Sequence, residues 1–389
     1  MDKLFNYKYL TKKHLKGLDN YKYSAIDTSP LSNYVMHPLW NTTVKILPKW
    51  LAPNLLTFAG FVLMVALVVL LGVYDYGCHG PLADDGVRVP DWVYTACGVL
   101  LFVAYNLDGL DGKQARRLGV SGPLGEMFDH GIDSYVVFFI PYGLIAVFGR
   151  DHEFTLPVIR GLLIVVSVCL NFFVSHWEKY NTGVLYLPWG YDISMWATSL
   201  LFLVPGLNGP TVYHTYLIGQ VTVAQALEVV VHTTGLVTTL PVAVYNLYLA
   251  HKNRTAIYKS ILEALRPVWS MLVLNVVFIA WAVTSPSNIL EYDPKAFLLL
   301  YGTNFSHILC RLIVAEMSKQ RCDVIAWMCW PLLAGAAVSL YLPHLEVPTM
   351  YSLVLLSLAG HLHYAICVVR QLCVHYKISC FAVPKSKRK

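Results

Sequence analysis

Residues 91–149 read DWVYTACGVLLFVAYNLDGLDGKQARRLGVSGPLGEMFDHGIDSYVVFFIPYGLIAVFG. Two apolar runs, 91–107 and 132–149, bracket a segment from Asp108 to Asp133 that carries four aspartates. Runs of about 17 to 25 apolar residues match the hydrocarbon core of a bilayer, so the acidic segment falls at one membrane face. Carboxylates at a membrane edge are costly to keep, which marks them as functional. Metal binding is the simplest role for such a cluster.

The rest of the chain agrees with this reading. Hydrophobic residues make up 56% of 389 and charged residues 13%, and the mean hydropathy is +0.53. That balance excludes an ordinary soluble globular protein. The expected fold is an all-α polytopic membrane protein, since backbone groups in lipid must be satisfied internally. About ten transmembrane helices are predicted, near 55–74, 91–107, 132–149, 155–175, 191–206, 221–249, 267–284, 296–316, 324–342 and 349–373. Residues 30–52, with Pro30, Pro38, Trp40, Pro48 and Trp50, read as an N-terminal interfacial helix. With no internal repeat, the division is a cytosolic segment over 1–53, one membrane domain over 54–373 and a basic cytosolic tail over 374–389.

Charge sets the orientation. Lys3, Lys8, Lys12, Lys13 and Lys16, then Lys113, Arg116 and Arg117, then Lys252, Arg254, Lys259 and Arg266, and the final K-S-K-R-K fall on one side of a ten-span chain. Asp75, Asp84 and Asp85 against Arg88, and Glu291 and Asp293 against Lys295, fall on the other. By the positive-inside rule both termini and the aspartates face the cytosol. The net charge of +6 then reflects this asymmetry and attraction to anionic membrane lipids, not nucleic-acid binding. Nine cysteines without a C-x-x-C pair argue against a disulfide framework or a zinc site. Cys373 and Cys380 are read as small apolar residues, and the polar first thirty residues as lacking a cleavable signal peptide.

On a helix continuing past residue 107, Asp108, Asp111, Gly112, Ala115 and Arg116 come toward one face by their three- and four-residue spacing. Ser121-Gly122-Pro123 reads as the start of the next helix. Glu126, Asp129, His130 and Asp133 then share an arc of about 100°. Asp108, Asp111, Asp129 and Asp133 offer only hard oxygen ligands, which select Mg²⁺ or Mn²⁺, and their number suits two ions. Gly112 and Ala115 leave room for a phosphate or nucleotide, and Arg116 can clamp its oxygens. His130 is the neutral-pH base, with Glu126 placed to orient it. The set fits phosphoryl transfer from a diphosphate donor to an alcohol. A solvated charge run explains less, because these aspartates abut two apolar spans. A transporter would carry charges at the midplane in repeated halves, and a dead scaffold would tolerate a missing ligand.

The pattern D-x-x-D-G-x-x-A-R, eight residues, then G-x-x-x-D-x-x-x-D is met by Asp108, Asp111, Gly112, Ala115, Arg116, Gly125, Asp129 and Asp133. It resembles the signature of the CDP-alcohol phosphotransferases. D-G-K-Q-A-R-R and G-E-M-F-D-H-G-I-D-S are similar to the eukaryotic choline/ethanolamine branch, as are Y-K-Y-S-A-I-D-T-S-P-L-S, L-A-P-N-L-L-T-F and H-W-E-K-Y-N-T-G elsewhere in the chain. The resemblance implies that the four aspartates hold two magnesium ions and that Arg116 and Asn54 contact the CDP moiety, beside Gly112, Ala115 and Gly125. It implies His130 as proton acceptor with Glu126 raising its basicity, and Asp133 as second choice, being the usual base candidate in members without that histidine. The implied reaction passes phosphoethanolamine from CDP-ethanolamine to diacylglycerol, giving phosphatidylethanolamine and CMP; dual choline/ethanolamine use is the alternative. A homodimer is also implied. Lys385 and Lys387 resemble a dilysine signal for the endoplasmic reticulum, with the Golgi as the alternative membrane. The last residues, K-S-K-R-K, differ from the selenocysteine tail of vertebrate members.

Among other polar residues within the runs, Glu228 and His232, one turn apart, are expected to satisfy one another or a neighbouring helix, and His307 with Arg311 and His361 with His363 to make satisfied interhelical contacts, with a lipid-entry or head-group cavity as the alternative. Arg160 and Arg370, near run ends, are expected to snorkel.

Overall fold

The computed structural model of the chain describes residues 4–80, 89–150, 153–187, 190–384 and 387. Lys3, Asp84, Asp85, Arg88, Lys385, Arg388 and Lys389, which belong to the charge reading above, lie outside the described residues. A 3-10 turn, Leu4–Asn6, leads into α1 (Lys12–Asp19), strand β1 (Ala25–Asp27), a π turn (Ser32–Met36) and α2 (His37–Thr43). The long helices follow: α3 (Pro53–Tyr74), α4 (Asp91–Leu118), α5 (Pro123–Phe148) and α6 (Val158–Thr182). After β2 (Leu185–Leu187) come α7 (Gly190–Asn208), the pair β3 (Tyr216–Ile218) and β4 (Val221–Thr222), α8 (Val223–Thr233) and α9 (Leu240–Lys252). The chain closes with α10 (Ile261–Ala264), α11 (Arg266–Thr284), α12 (Ile289–Tyr292), α13 (Pro294–Ser318), α14 (Cys329–Tyr341) and α15 (Glu346–Tyr376).

Among the described residues, eight helices are long and apolar enough to cross a membrane: α3, α4, α5, α6, the run from α8 through α9, α11, α13 and the stretch Pro343–Tyr376 that contains α15. The expected count of about ten is not confirmed. The remaining two expected stretches are helical, as α7 and α14, but neither qualifies. With 13 residues, α14 reaches about 20 Å at 1.5 Å per residue, short of a bilayer core. The α7 helix begins on Tyr191, Asp192 and Ser194 and carries Pro205 inside it, so too little of it is apolar.

The central helix is α13, 83% of whose apolar window is buried; it packs against α5, α6, α11 and α15. The α8–α9 run, 12% buried, forms an outer wall. Helices α3 and α4 cross closely at Gly60, where a Cβ would stand 3.2 Å from the Ala104 carbonyl. The segment after α2 is clamped to α4: the Arg117 guanidinium donates to the carbonyls of Val44 (2.6 Å) and Leu47 (2.7 Å). Gln114 donates to Pro48 and Leu51, and the Trp40 indole donates to Asn106 at 3.1 Å.

The N-terminal segment is tied down at both ends. Leu10 and Gln371 of α15 exchange two hydrogen bonds, of 3.0 and 2.6 Å, and the Tyr9 hydroxyl meets His363 at 2.8 Å. Further on, β1 pairs in parallel with β2, Ala25 opposite Leu185 and Asp27 opposite Leu187. The strand thereby holds residues 21–27 beside the end of α6.

Candidate active site

The segment that carries the aspartates forms because α4 runs without a break from its apolar stretch into the charged one, then stops at Gly119. That glycine takes φ +61° and its N–H reaches the Ala115 and Arg116 carbonyls, a left-handed cap that a Cβ would disfavour. Helix α5 begins at Pro123 with Gly122 as its N-cap, as the Ser121-Gly122-Pro123 reading predicts. The end of α4 and the start of α5 therefore carry their carboxylates into a shared space.

Asp108, Asp111 and Asp129 each offer an oxygen within 4.8 Å of the others. Like charges at 4 Å repel by about 4 kcal/mol even at an effective dielectric of about 20, so the trio calls for a cation. Neighbours fix two of its members. Thr57 on α3 donates to Asp111, and Tyr191 on α7 donates to Asp108 at 3.1 Å. The third keeps Asp129 Oδ1 buried with no hydrogen-bond partner. An orphan oxygen among all-oxygen donors fits Mg²⁺ or Mn²⁺. Asp133 stands outside the trio and, with Asp108, Thr57 and Tyr191, lines a small cavity beside it.

His130 is buried on α5, and its Nδ1 has no partner. Glu126, one turn earlier, makes no hydrogen bond to it among the described residues. Instead Glu126 accepts from Lys179 on α6 at 2.6 Å and from the Tyr21 hydroxyl. The ring next to His130 is His176, edge-to-face at 5.1 Å; its Nδ1 meets Glu316 of α13 at 3.1 Å. Lys179 also reaches Glu316, at 3.3 Å.

Asn54, at the start of α3, lies against Gly125, where a Cβ would stand 3.6 Å from Asn54 Oδ1; its amide donates to Cys380 Sγ at 3.5 Å. The exposed Arg116 folds back over Gly112, its Nη1 3.5 Å from where a Cβ would be. Ala115 is half-buried on the same turn. The N-terminal segment closes one side, with the Lys179 ammonium 5.5 Å from the Tyr21 ring centre and 5.6 Å from that of Tyr23. Burial, reinforced by Glu126, pushes the Tyr23 hydroxyl up to about 12, so it stays neutral at physiological pH; burial raises Tyr21 as well.

Thr57, Tyr191, Tyr21, His176, Lys179 and Glu316 escape a reading of the motif alone. Their signal is faint but present, since a lysine and a glutamate inside apolar spans imply a buried pair. Elsewhere, Glu228 pairs with Arg160 of the neighbouring α6 and lies 3.9 Å from His232, whose Nδ1 meets Ser167 at 2.6 Å. Arg311 pairs with Asp323, whereas neither ring nitrogen of His307 has a hydrogen-bond partner among the described residues, and the His307 and His361 rings are neighbours at 5.9 Å. His363 is bonded to Tyr9 and the Leu4 carbonyl.

A sequence profile of the CDP-alcohol phosphatidyltransferase family matches residues 50–241, which include the whole signature. Over 382 residues the chain is 41% identical to ethanolaminephosphotransferase 1 of Mus musculus, covering 97% of this chain and 96% of that one. The chain belongs to the CDP-alcohol phosphatidyltransferase family. It is also 41% identical over 381 residues to ethanolaminephosphotransferase 1 of Homo sapiens, at the same coverage. Choline/ethanolaminephosphotransferase 1 of Arabidopsis thaliana is 28% identical over 413 residues, covering 97% and 99%. The resemblance drawn from the signature thus extends over nearly the whole chain.

Proposed function

We propose that this membrane transferase moves phosphoethanolamine from CDP-ethanolamine to the free hydroxyl of diacylglycerol, giving phosphatidylethanolamine and CMP. The observation that carries the reading is the Asp108–Asp111–Asp129 trio, oxygens within 4.8 Å, beside a buried histidine in a chain that is 41% identical to animal ethanolaminephosphotransferases. Asp108, Asp111 and Asp129, joined by Asp133, would hold two Mg²⁺ or Mn²⁺ ions, which when bound neutralise a diphosphate and the departing CMP. Arg116 supplies donors to phosphate oxygens, and Gly112 and Ala115 let the nucleotide approach the backbone. Asn54 and Gly125 border the space assigned to the CDP moiety. His130 takes the hydroxyl proton of the acceptor as its oxygen attacks the β-phosphorus, with Asp133 as the alternative base.

We assign the site to the cytosolic face of the endoplasmic reticulum membrane on the charge asymmetry of the loops. The second reading, dual choline and ethanolamine use, is favoured by the likeness to the plant choline/ethanolaminephosphotransferase. Purified enzyme with diacylglycerol and either CDP-ethanolamine or CDP-choline separates the two. CMP release faster with CDP-ethanolamine is expected, and equal rates overturn the head-group assignment.

A further inference from the structure

We infer that His176, held by Glu316, is a positioning residue for His130. The inference rests on His130 as the base proposed above. A general base works only when its ring is held in one orientation, and the holding group is ordinarily a hydrogen-bonded neighbour. Glu126, the neighbour one turn away in sequence, is committed to Lys179 and Tyr21. The group against His130 is the His176 ring, in edge-to-face contact at 5.1 Å. One ring nitrogen of each histidine and a Glu316 oxygen lie within 4.8 Å of one another.

His176 is itself immobilised. Its Nδ1 faces both Glu316 oxygens, at 3.1 and 3.3 Å, and Phe172 packs on it at 5.0 Å. His176 is 1% exposed, Lys179 2% and Glu316 5%, so the His176 ring cannot turn without breaking buried polar contacts, each costly to lose, and it stands as a fixed wall against the His130 ring. The same three groups could be read as ligands for a second metal. The Lys179 ammonium, 3.3 Å from the Glu316 oxygen, already supplies positive charge there and opposes a divalent ion. The arrangement therefore suits a brace: α13 fixes a ring on α6, which fixes the ring on α5 that meets the acceptor.

The test uses the full-length enzyme in lipid vesicles, with CDP-ethanolamine and diacylglycerol titrated separately. His176→Leu is expected to lower kcat by about 10- to 100-fold, with KM for both substrates within about twofold of wild type and CDP-ethanolamine binding retained. Glu316→Gln, which keeps an oxygen for the His176 N–H, is expected to keep more turnover than Glu316→Ala. Wild-type kcat in His176→Leu, or a loss seen only as a raised KM for CDP-ethanolamine, overturns the inference. Should His176→Leu fail to fold, His176→Gln decides: its amide can still meet Glu316 but offers no ring to His130, so wild-type kcat overturns and a lowered kcat supports. A wild-type enzyme that releases no CMP, or a fully active His130→Ala, instead removes the reading beneath it.

Discussion

At the residue scale the site divides into groups that grip and groups that move a proton, and the two should fail differently. Asp111 sits in the carboxylate trio and accepts from Thr57. Asp111→Ala should lower CMP release by at least about 10³-fold, because metal charge stabilisation contributes several kcal/mol. Calorimetric titration with Mn²⁺ should show weakened binding in the same variant, while Thr57→Val leaves most of the turnover. His130→Ala should cost about 10²- to 10⁴-fold in kcat, the usual range for a general base. Its CDP-ethanolamine affinity, measured by the same calorimetry, should stay near that of wild type. Undiminished turnover in His130→Ala would instead point to Asp133, which borders the cavity next to Asp108.

At the element scale the determining contact is between the short helix α2 and the aspartate-bearing helix α4. A Cβ on Gly109 would stand 2.2 Å from the Trp40 ring, displacing the indole from Asn106. Gly109→Ala should therefore destabilise the protein by about 1–3 kcal/mol, read as a lowered thermal unfolding temperature. Gly72→Ala in α3, where no atom lies within 4 Å of the added Cβ, should move it the other way by about 0.5–1 kcal/mol. Much of this level is legible in sequence, since apolar length locates each long helix and Gly119 and Pro123 mark the break between α4 and α5. What length alone misjudges is α14, apolar throughout yet only 13 residues, and α7, whose first turns are polar. The aspartate trio is legible because three- and four-residue spacing puts its members on facing helix stripes. Glu126 is not: its partners lie 53 and 105 residues away in the chain, so no local periodicity can reveal that Lys179 and Tyr21, rather than His130, engage it.

At the scale of the whole molecule both chain ends meet on one side. Asp19 accepts from His375 at 2.7 Å, and Leu10 and Gln371 bond reciprocally. An even number of crossings follows from that proximity, in keeping with the lysine distribution. Protease added to sealed microsomes should remove epitope tags from both termini and leave a tag in the α11–α13 loop near Asn288 intact; protection of either terminus would reverse the orientation. The same closure bears on biosynthesis. Tyr21 sits against Glu126 on a segment latched to α15, the last of the described long helices in chain order. A nascent polypeptide can therefore gather its aspartates early, yet the segment around Leu10 finds its berth only after synthesis of α15. Competence for catalysis then arrives in one late event, and a translation product interrupted before residue 371 would carry every metal ligand with its front door unhung.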